Sequence, residues 1–236
     1  MFKKIVPFNA QTHGAKRIKP VDNYTFAEKS YIASLVVSEF NRVAPHYPIV
    51  FLKEAESRFG VYALLGLQQG ENLFVTEDGK WDAGYIPAII RRYPFALGKG
   101  GEENQFLICI DEESDFLNEE EGEPLVEDGK PGQVVEKAKQ YLSELYRLSE
   151  LTKRFCQDLI DRDLLMPLNM QVRKGDGETA QSIAGCYGVN EKNLNEMPDD
   201  KFLELRKNGT LSLIFAHLLS LSNVEKLVKK RTKRKA

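Results

Sequence analysis

The stretch 134–160, VVEKAKQYLSELYRLSELTKRFCQDLI, sets Val134, Ala138, Tyr141, Leu145, Leu148, Leu151, Phe155 and Leu159 three or four residues apart. That recurrence lines one face of an α-helix, here one of roughly 40 Å. An all-β chain is thereby excluded, and the flanking segments decide what the helix packs against. On its N-terminal side, short apolar and β-branched runs at 48–52 (PIVFL), 62–67 (YALLGL) and 105–110 (QFLICI) read as strands. On its C-terminal side, 164–172 and 182–189 read as a hairpin around a Gly-Asp-Gly turn. Helices follow over 199–207 and 211–221, broken by Asn208-Gly209, and a last one is introduced by the box Ser222-x-x-Glu225. The whole predicts an α+β fold of mixed helices with short, mostly antiparallel strands.

Three further segments fill in the order. Residues 25–43 open with the capping pattern Thr25-x-x-Glu28 and align Tyr31, Ile32, Leu35, Val36, Phe40 and Val43, which predicts an amphipathic helix ended by Pro45 and Pro48. Asp78-Gly79 predicts a tight turn within 76–81, and 85–92 predicts a short helix with Pro87 in its first turn. Residues 111–128 hold ten carboxylates and no basic residue, a composition that repels itself and buries little. This stretch reads as a solvated linker, dividing an N-terminal α+β half (1–117) from a helix-rich C-terminal half (133–236) across an acidic connection at 118–132. The pairs Gly66 with Gly188, Asn72-Leu73 with Asn193-Leu194, and Trp81 with Phe202 also align. They admit two related strand-to-helix units, with chance as the other account.

The 236 residues are 42% hydrophobic and 29% charged, an ordinary globular composition, and the net charge of −2 leaves no global electrostatic footprint for nucleic acid. Cys109, Cys156 and Cys186 are odd in number, far apart and set among apolar neighbours, so they read as buried free thiols. Pro7, Asn9 and Gln11 interrupt any signal-like apolar run after the N-terminal lysines. A cytoplasmic protein is the expectation.

Motifs of familiar reaction chemistry are absent: there is no phosphate-binding lysine loop, dinucleotide glycine fingerprint, HExxH helix or GxSxG elbow. No Cys or His pair has metal spacing, so neither a metal nor a cofactor is expected. The richest candidate segment is 71–97, ENLFVTEDGKWDAGYIPAIIRRYPFAL, with the sole tryptophan and an arginine pair. Arg91 and Arg92 close an apolar helix beside Tyr93. They are expected either to pair with a carboxylate such as Asp82 or Asp111, or to fork around a ligand carboxylate or phosphate near Trp81. His46, between Pro45 and Pro48, is a loop imidazole open to acid, base or ligand roles, and equally a plain loop residue. His217 sits among Ile214, Phe215, Leu218 and Leu219 and reads as a neutral core imidazole. Seven basic residues in 226–236 suit a disordered tail, or contact with nucleic acid, an anionic membrane or the acidic segment.

Several long segments in order resemble the SapC family of bacterial proteins. They are FKKIVPFN (2–9), HYPIVF (46–51), LLGLQQGENLFV (64–75), WDAGYIPAIIRRYPFAL (81–97), CIDEES (109–114), EGEPL (121–125) and FLELRKNGTLSLIFAHLLSL (202–221). The family takes its name from a gene associated with a bacterial surface layer, and similar proteins lie in gene neighbourhoods with outer-membrane receptors and flavin-dependent halogenase-like proteins. The resemblance supplies no catalytic residues. Together with the missing catalytic motifs, it implies a non-catalytic accessory protein that binds a protein or peptide linked to envelope, surface-layer or nutrient-uptake functions. The alternative is an enzyme or small-molecule binder whose pocket lies near Trp81, Arg91, Arg92, Tyr93 and His46.

Overall fold

The computed structural model describes residues 1–55, 58–100, 106–173, 179–183 and 185–235. Strands β1 (Ile5–Pro7), β2 (Arg17–Ile18) and β3 (Ile32–Ser34) precede the one-turn helix α1 (Phe40–Val43). Then come β4 (Ile49–Lys53), β5 (Phe59–Leu64), α2 (Ala88–Arg91), β6 (Phe95–Lys99) and β7 (Phe106–Asp111). Four two-residue strands, β8 (Leu117–Asn118), β9 (Glu123–Pro124), β10 (Val126–Glu127) and β11 (Lys130–Pro131), lead into α3 (Gln133–Asp161). The remainder is β12 (Leu165–Pro167), β13 (Met170–Arg173), β14 (Thr179–Ile183), β15 (Cys186–Val189), α4 (Glu191–Asn195), α5 (Asp199–Lys207), α6 (Thr210–Ser220) and α7 (Val224–Lys235).

The strand pairs described are antiparallel, as the sequence predicts. The main sheet has five strands in the order β12-β15-β4-β5-β3, and β1-β7-β6 and β8-β2-β9 form two three-stranded sheets. The expected hairpin over 164–189 is present as four strands, with β13 against β14 and β12 against β15. Its Gly-Asp-Gly turn lies outside the described residues.

Helix α3 spans 29 residues and joins two apolar clusters. Its first turns place Val135 and Leu142 against Ile18, Phe95, Ile110 and Leu125. Its last turns place Phe155, Cys156 and Leu159 against the main sheet, with Phe155 edge-on to Phe40 at 5.7 Å. The predicted face is buried at Phe155 and Leu159 and half-buried at Val134, Ala138, Tyr141, Leu145 and Leu148, while at the turn between them Leu151 is exposed and Thr152 is buried in its place.

Four expectations are overturned. No helix spans 25–43: Thr25–Ala27 is a 3₁₀ turn, and Ile32, Ala33 and Ser34 pair with Leu64, Ala63 and Tyr62. The free edge of β5 offers hydrogen bonds and burial that override the helical spacing. Residues 111–128 are not a bare solvated loop either. Asp111 and Leu125 are fully buried, and β8 and β9 flank β2, where Lys16 and Lys19 meet Glu119 and Glu121 at 2.8 and 2.9 Å. The basic residues this segment lacks are supplied by the N-terminal strands. The paired units dissolve, because Gly66 follows β5 while Gly188 lies inside β15, and Trp81 bridges Val75 while Phe202 sits within α5. The basic tail, finally, is the helix α7.

Candidate functional site

The arginine pair is set in place by a buried acid that the sequence reading passed over. Glu39, almost wholly buried, accepts hydrogen bonds from Val36 N at 3.1 Å, Ala88 N at 2.7 Å and the Tyr85 hydroxyl at 2.9 Å. It pins the segment 85–88 to the loop before α1 and satisfies the first amide of α2. Tyr141 of α3 donates to Ala88 O at 2.9 Å from the other side. Pro87 stands immediately before α2, so the helix predicted over 85–92 is confined to Ala88–Arg91.

From this mount the two guanidinium groups diverge. Arg91 donates from Nε to Ile86 O at 3.0 Å and from Nη2 to the Tyr85 hydroxyl at 3.1 Å, and lies over the Tyr85 and Tyr141 rings at 5.5 and 5.6 Å. Arg92 lies over the Phe2 ring at 5.2 Å, and its buried Nε has no hydrogen-bond partner among the described residues. Burial lowers the Arg92 pKa from its ordinary value, the sign of a cation held without a compensating carboxylate.

Neither acid expected to pair with them does so. Asp82 is engaged by Lys230 of α7. Asp111 accepts from the backbone amides of Lys3 and Lys4 at 2.9 and 2.7 Å and from the Tyr93 hydroxyl at 3.2 Å. Tyr93 is thus a buried structural residue, stacked on Phe26 at 4.0 Å, with burial pushing its pKa up to about 12.

Between α2, α3 and β2 opens a cleft of about 340 Å³. Its walls include the apolar Ile18, Val21, Phe95, Val134, Ala138 and Leu142. Its polar lining is Lys19, Arg91, Arg92, Lys137, Tyr141 and a single carboxylate, Glu123. Lys19 is paired to Glu121 and Lys137 stands 4.0 Å from Glu123, and among the described residues no carboxylate forms an ion pair with either arginine; Glu39 reaches Arg91 only through the Tyr85 hydroxyl. A second hollow of about 270 Å³ shares Arg91 and Tyr141 with the first.

Trp81 and His46 do not line this cleft. Trp81 donates from Nε1 to the Tyr47 hydroxyl at 2.7 Å, and Tyr47 donates in turn to Tyr85 O. His46 packs edge-on to Tyr47 at 6.0 Å and against Gly84, where an added Cβ would stand 2.9 Å from the ring. The structure therefore keeps Arg91, Arg92 and Tyr93 together and moves Trp81 and His46 into a separate aromatic network. Lys19, Lys137 and Tyr141 went unnoticed as site residues, although the spacing 134, 137, 138, 141 already marks a mixed apolar and cationic flank on α3.

Elsewhere the chemistry is quiet. His217 is fully buried, bonded through Nδ1 to Ile49 O at 2.8 Å, and accepts from Val189 N at Nε2 at 3.1 Å, with burial pushing its pKa down to about 4. Cys109, Cys156 and Cys186 are buried free thiols, and burial pushes Cys156 up to about 12 and Cys186 to about 11. Among the described residues, no group of three or more His, Cys, Asp or Glu stands together to hold a metal ion.

The molecule is an α+β protein on antiparallel sheets with a cationic cleft beside its long helix. The SapC family profile matches residues 8–227, and the chain belongs to the SapC family. No curated protein and no solved structure matches it.

Proposed function

We propose that this SapC-family chain works as a non-catalytic binding protein, and that its site is the cleft between α2 and α3, where Arg92 receives an anionic group of the ligand. The observation that carries the reading is the Arg92 guanidinium, held half-buried at the edge of the cleft with no carboxylate partner, and no hydrogen bond at Nε, among the described residues. A buried cation without a partner costs free energy that an incoming carboxylate or phosphate recovers. Arg91 raises the local potential, and the apolar wall gives the rest of the ligand somewhere to lie.

The anionic group belongs either to an acidic segment of a protein partner, in keeping with an accessory role in envelope or uptake functions, or to a small organic acid. Isothermal titration with acidic peptides in one arm, and with small carboxylates and phosphate esters in the other, separates the two sources. Saturable binding is expected in one arm, weakened tenfold to a hundredfold by Arg92→Gln, as loss of a charge-assisted contact of roughly 1.5–3 kcal/mol implies. Heat in neither arm, or binding indifferent to Arg92→Gln, overturns the reading.

A further inference from the structure

The C-terminal run of helix carries a surface that the cleft does not use. From Thr210 the chain continues through α6, one 3₁₀ turn at Leu221–Asn223 and α7, and by length and composition this run is long and apolar enough to cross a bilayer. Its inner face packs into the body instead. Ile214, His217, Ser220 and Leu227 are buried in the body, with Ser220 Oγ accepting from Ile49 N at 2.8 Å.

Its outer face is divided along its length. Phe215 is 49% exposed and Leu219, at 74%, is the most exposed large apolar side chain among those described. Continuing from these at spacings of three or four residues come Ser222, Lys226, Lys229 and Lys233, all exposed, so the stripe turns from apolar to cationic without leaving one side of the helix. Three further cations of α7 reach the body: Lys230 meets Asp82, Arg231 meets Glu71 at 3.3 Å, and Arg234 donates to the carbonyls of Asn72 and Val75. Among the described residues Lys226 meets a carbonyl, that of Pro45 at 3.0 Å, and no carboxylate, and the exposed Glu225 lies one position off the stripe. A hollow of about 570 Å³ lies beside the apolar half, lined by Ala44, Pro45, Phe215, Leu219 and Lys226 among others.

The geometry points to an anionic lipid surface as the occupant of this face. Phe215 and Leu219 enter the boundary between headgroups and acyl chains, and Lys226, Lys229 and Lys233 lie on the lipid phosphates. Apolar insertion and a basic row are two signals of the kind that together hold a protein at an interface. Nucleic acid would leave Leu219 in water. An isologous contact between two copies would leave the lysine rows without acidic partners.

Co-sedimentation with vesicles tests this, using phosphatidylcholine alone and phosphatidylcholine with about a third phosphatidylglycerol. The full chain is expected to pellet with the anionic vesicles only, and to be released at about 0.5 M salt. Leu219→Ser should weaken partitioning about tenfold, and joint replacement of Lys226, Lys229 and Lys233 by Gln about a hundredfold. These positions are exposed, so an unchanged melting temperature verifies folding. Arg92→Gln should pellet like the parent, which keeps this test separate from that of the cleft. A parent chain that stays in solution with anionic vesicles at low salt overturns the proposal, as does binding that neither replacement weakens. A concentration-dependent dimer abolished by Leu219→Ser, without vesicle binding, would assign the face to a second copy.

Discussion

At the scale of single residues, the most consequential side chains are those that satisfy distant backbone. His217 ties β4 to β15, and its depressed pKa fixes a pH dependence. The unfolded chain binds a proton near the ordinary histidine value of about 6.5, whereas the folded protein does so only near 4. As pH falls between these values the unfolded state gains protons that the native state refuses, and stability drops by up to roughly 3 kcal/mol. Urea midpoints at neutral pH and just above pH 4 should show this loss, and a His217→Gln variant, weaker throughout, should lack this component. Asp111 likewise satisfies distant backbone, accepting from two amides as well as from the Tyr93 hydroxyl. Asp111→Ala should cost at least about 2 kcal/mol in equilibrium unfolding, because two N–H groups lose their acceptor. The core role of His217 was legible in the sequence, since it sits in an apolar run, and the buried thiols were legible from their odd number and wide separation. The partners of Arg91 and Arg92 were not, because Asp82 and Asp111 are claimed by Lys230 and by the amides of Lys3 and Lys4, contacts that no local pattern records.

At the scale of elements, α3 follows from the 3.6-residue period and α5 and α6 from the Asn208-Gly209 break between them, as β4 and β7 do from short apolar runs. The period misleads at 25–43, where adjacent apolar pairs such as Leu35-Val36 fit the edge of a sheet as well as a helical face, and only the free edge of β5 decides. The capping interaction does exist nearby, displaced to Val36 and Glu39. The turn after β5 gives a sharp check. A Cβ on Gly66 would stand 2.1 Å from Glu71 O, a backbone atom that cannot step aside, so Gly66→Ala should lower the melting temperature markedly. Loss of the hydroxyl in Tyr141→Phe should cost about 1 kcal/mol through Ala88 O and loosen the mount of Arg91. Calorimetry of the variant measures the first effect, and weaker ligand binding with little further loss of stability measures the second.

At the scale of the whole molecule, α3 is the member common to both apolar clusters. If the two clusters unfold together, Leu142→Ala and Phe155→Ala, in opposite halves of the helix, should each shift one shared transition by about 2–5 kcal/mol. Two separable transitions in either variant would show independent units. Closure of the molecule also has an order in time. The central strand β4 gives its Ile49 carbonyl to His217 and its Ile49 amide to Ser220, and it pairs with β15, groups made more than a hundred residues later. During synthesis β4 therefore emerges long before the groups that seal it, with a hydrophobic edge open to other chains. A ribosome must deliver the last helices before that strand is safe. Nascent chains stalled short of residue 217 should recruit holding chaperones, whereas chains released past Ser220 should escape them.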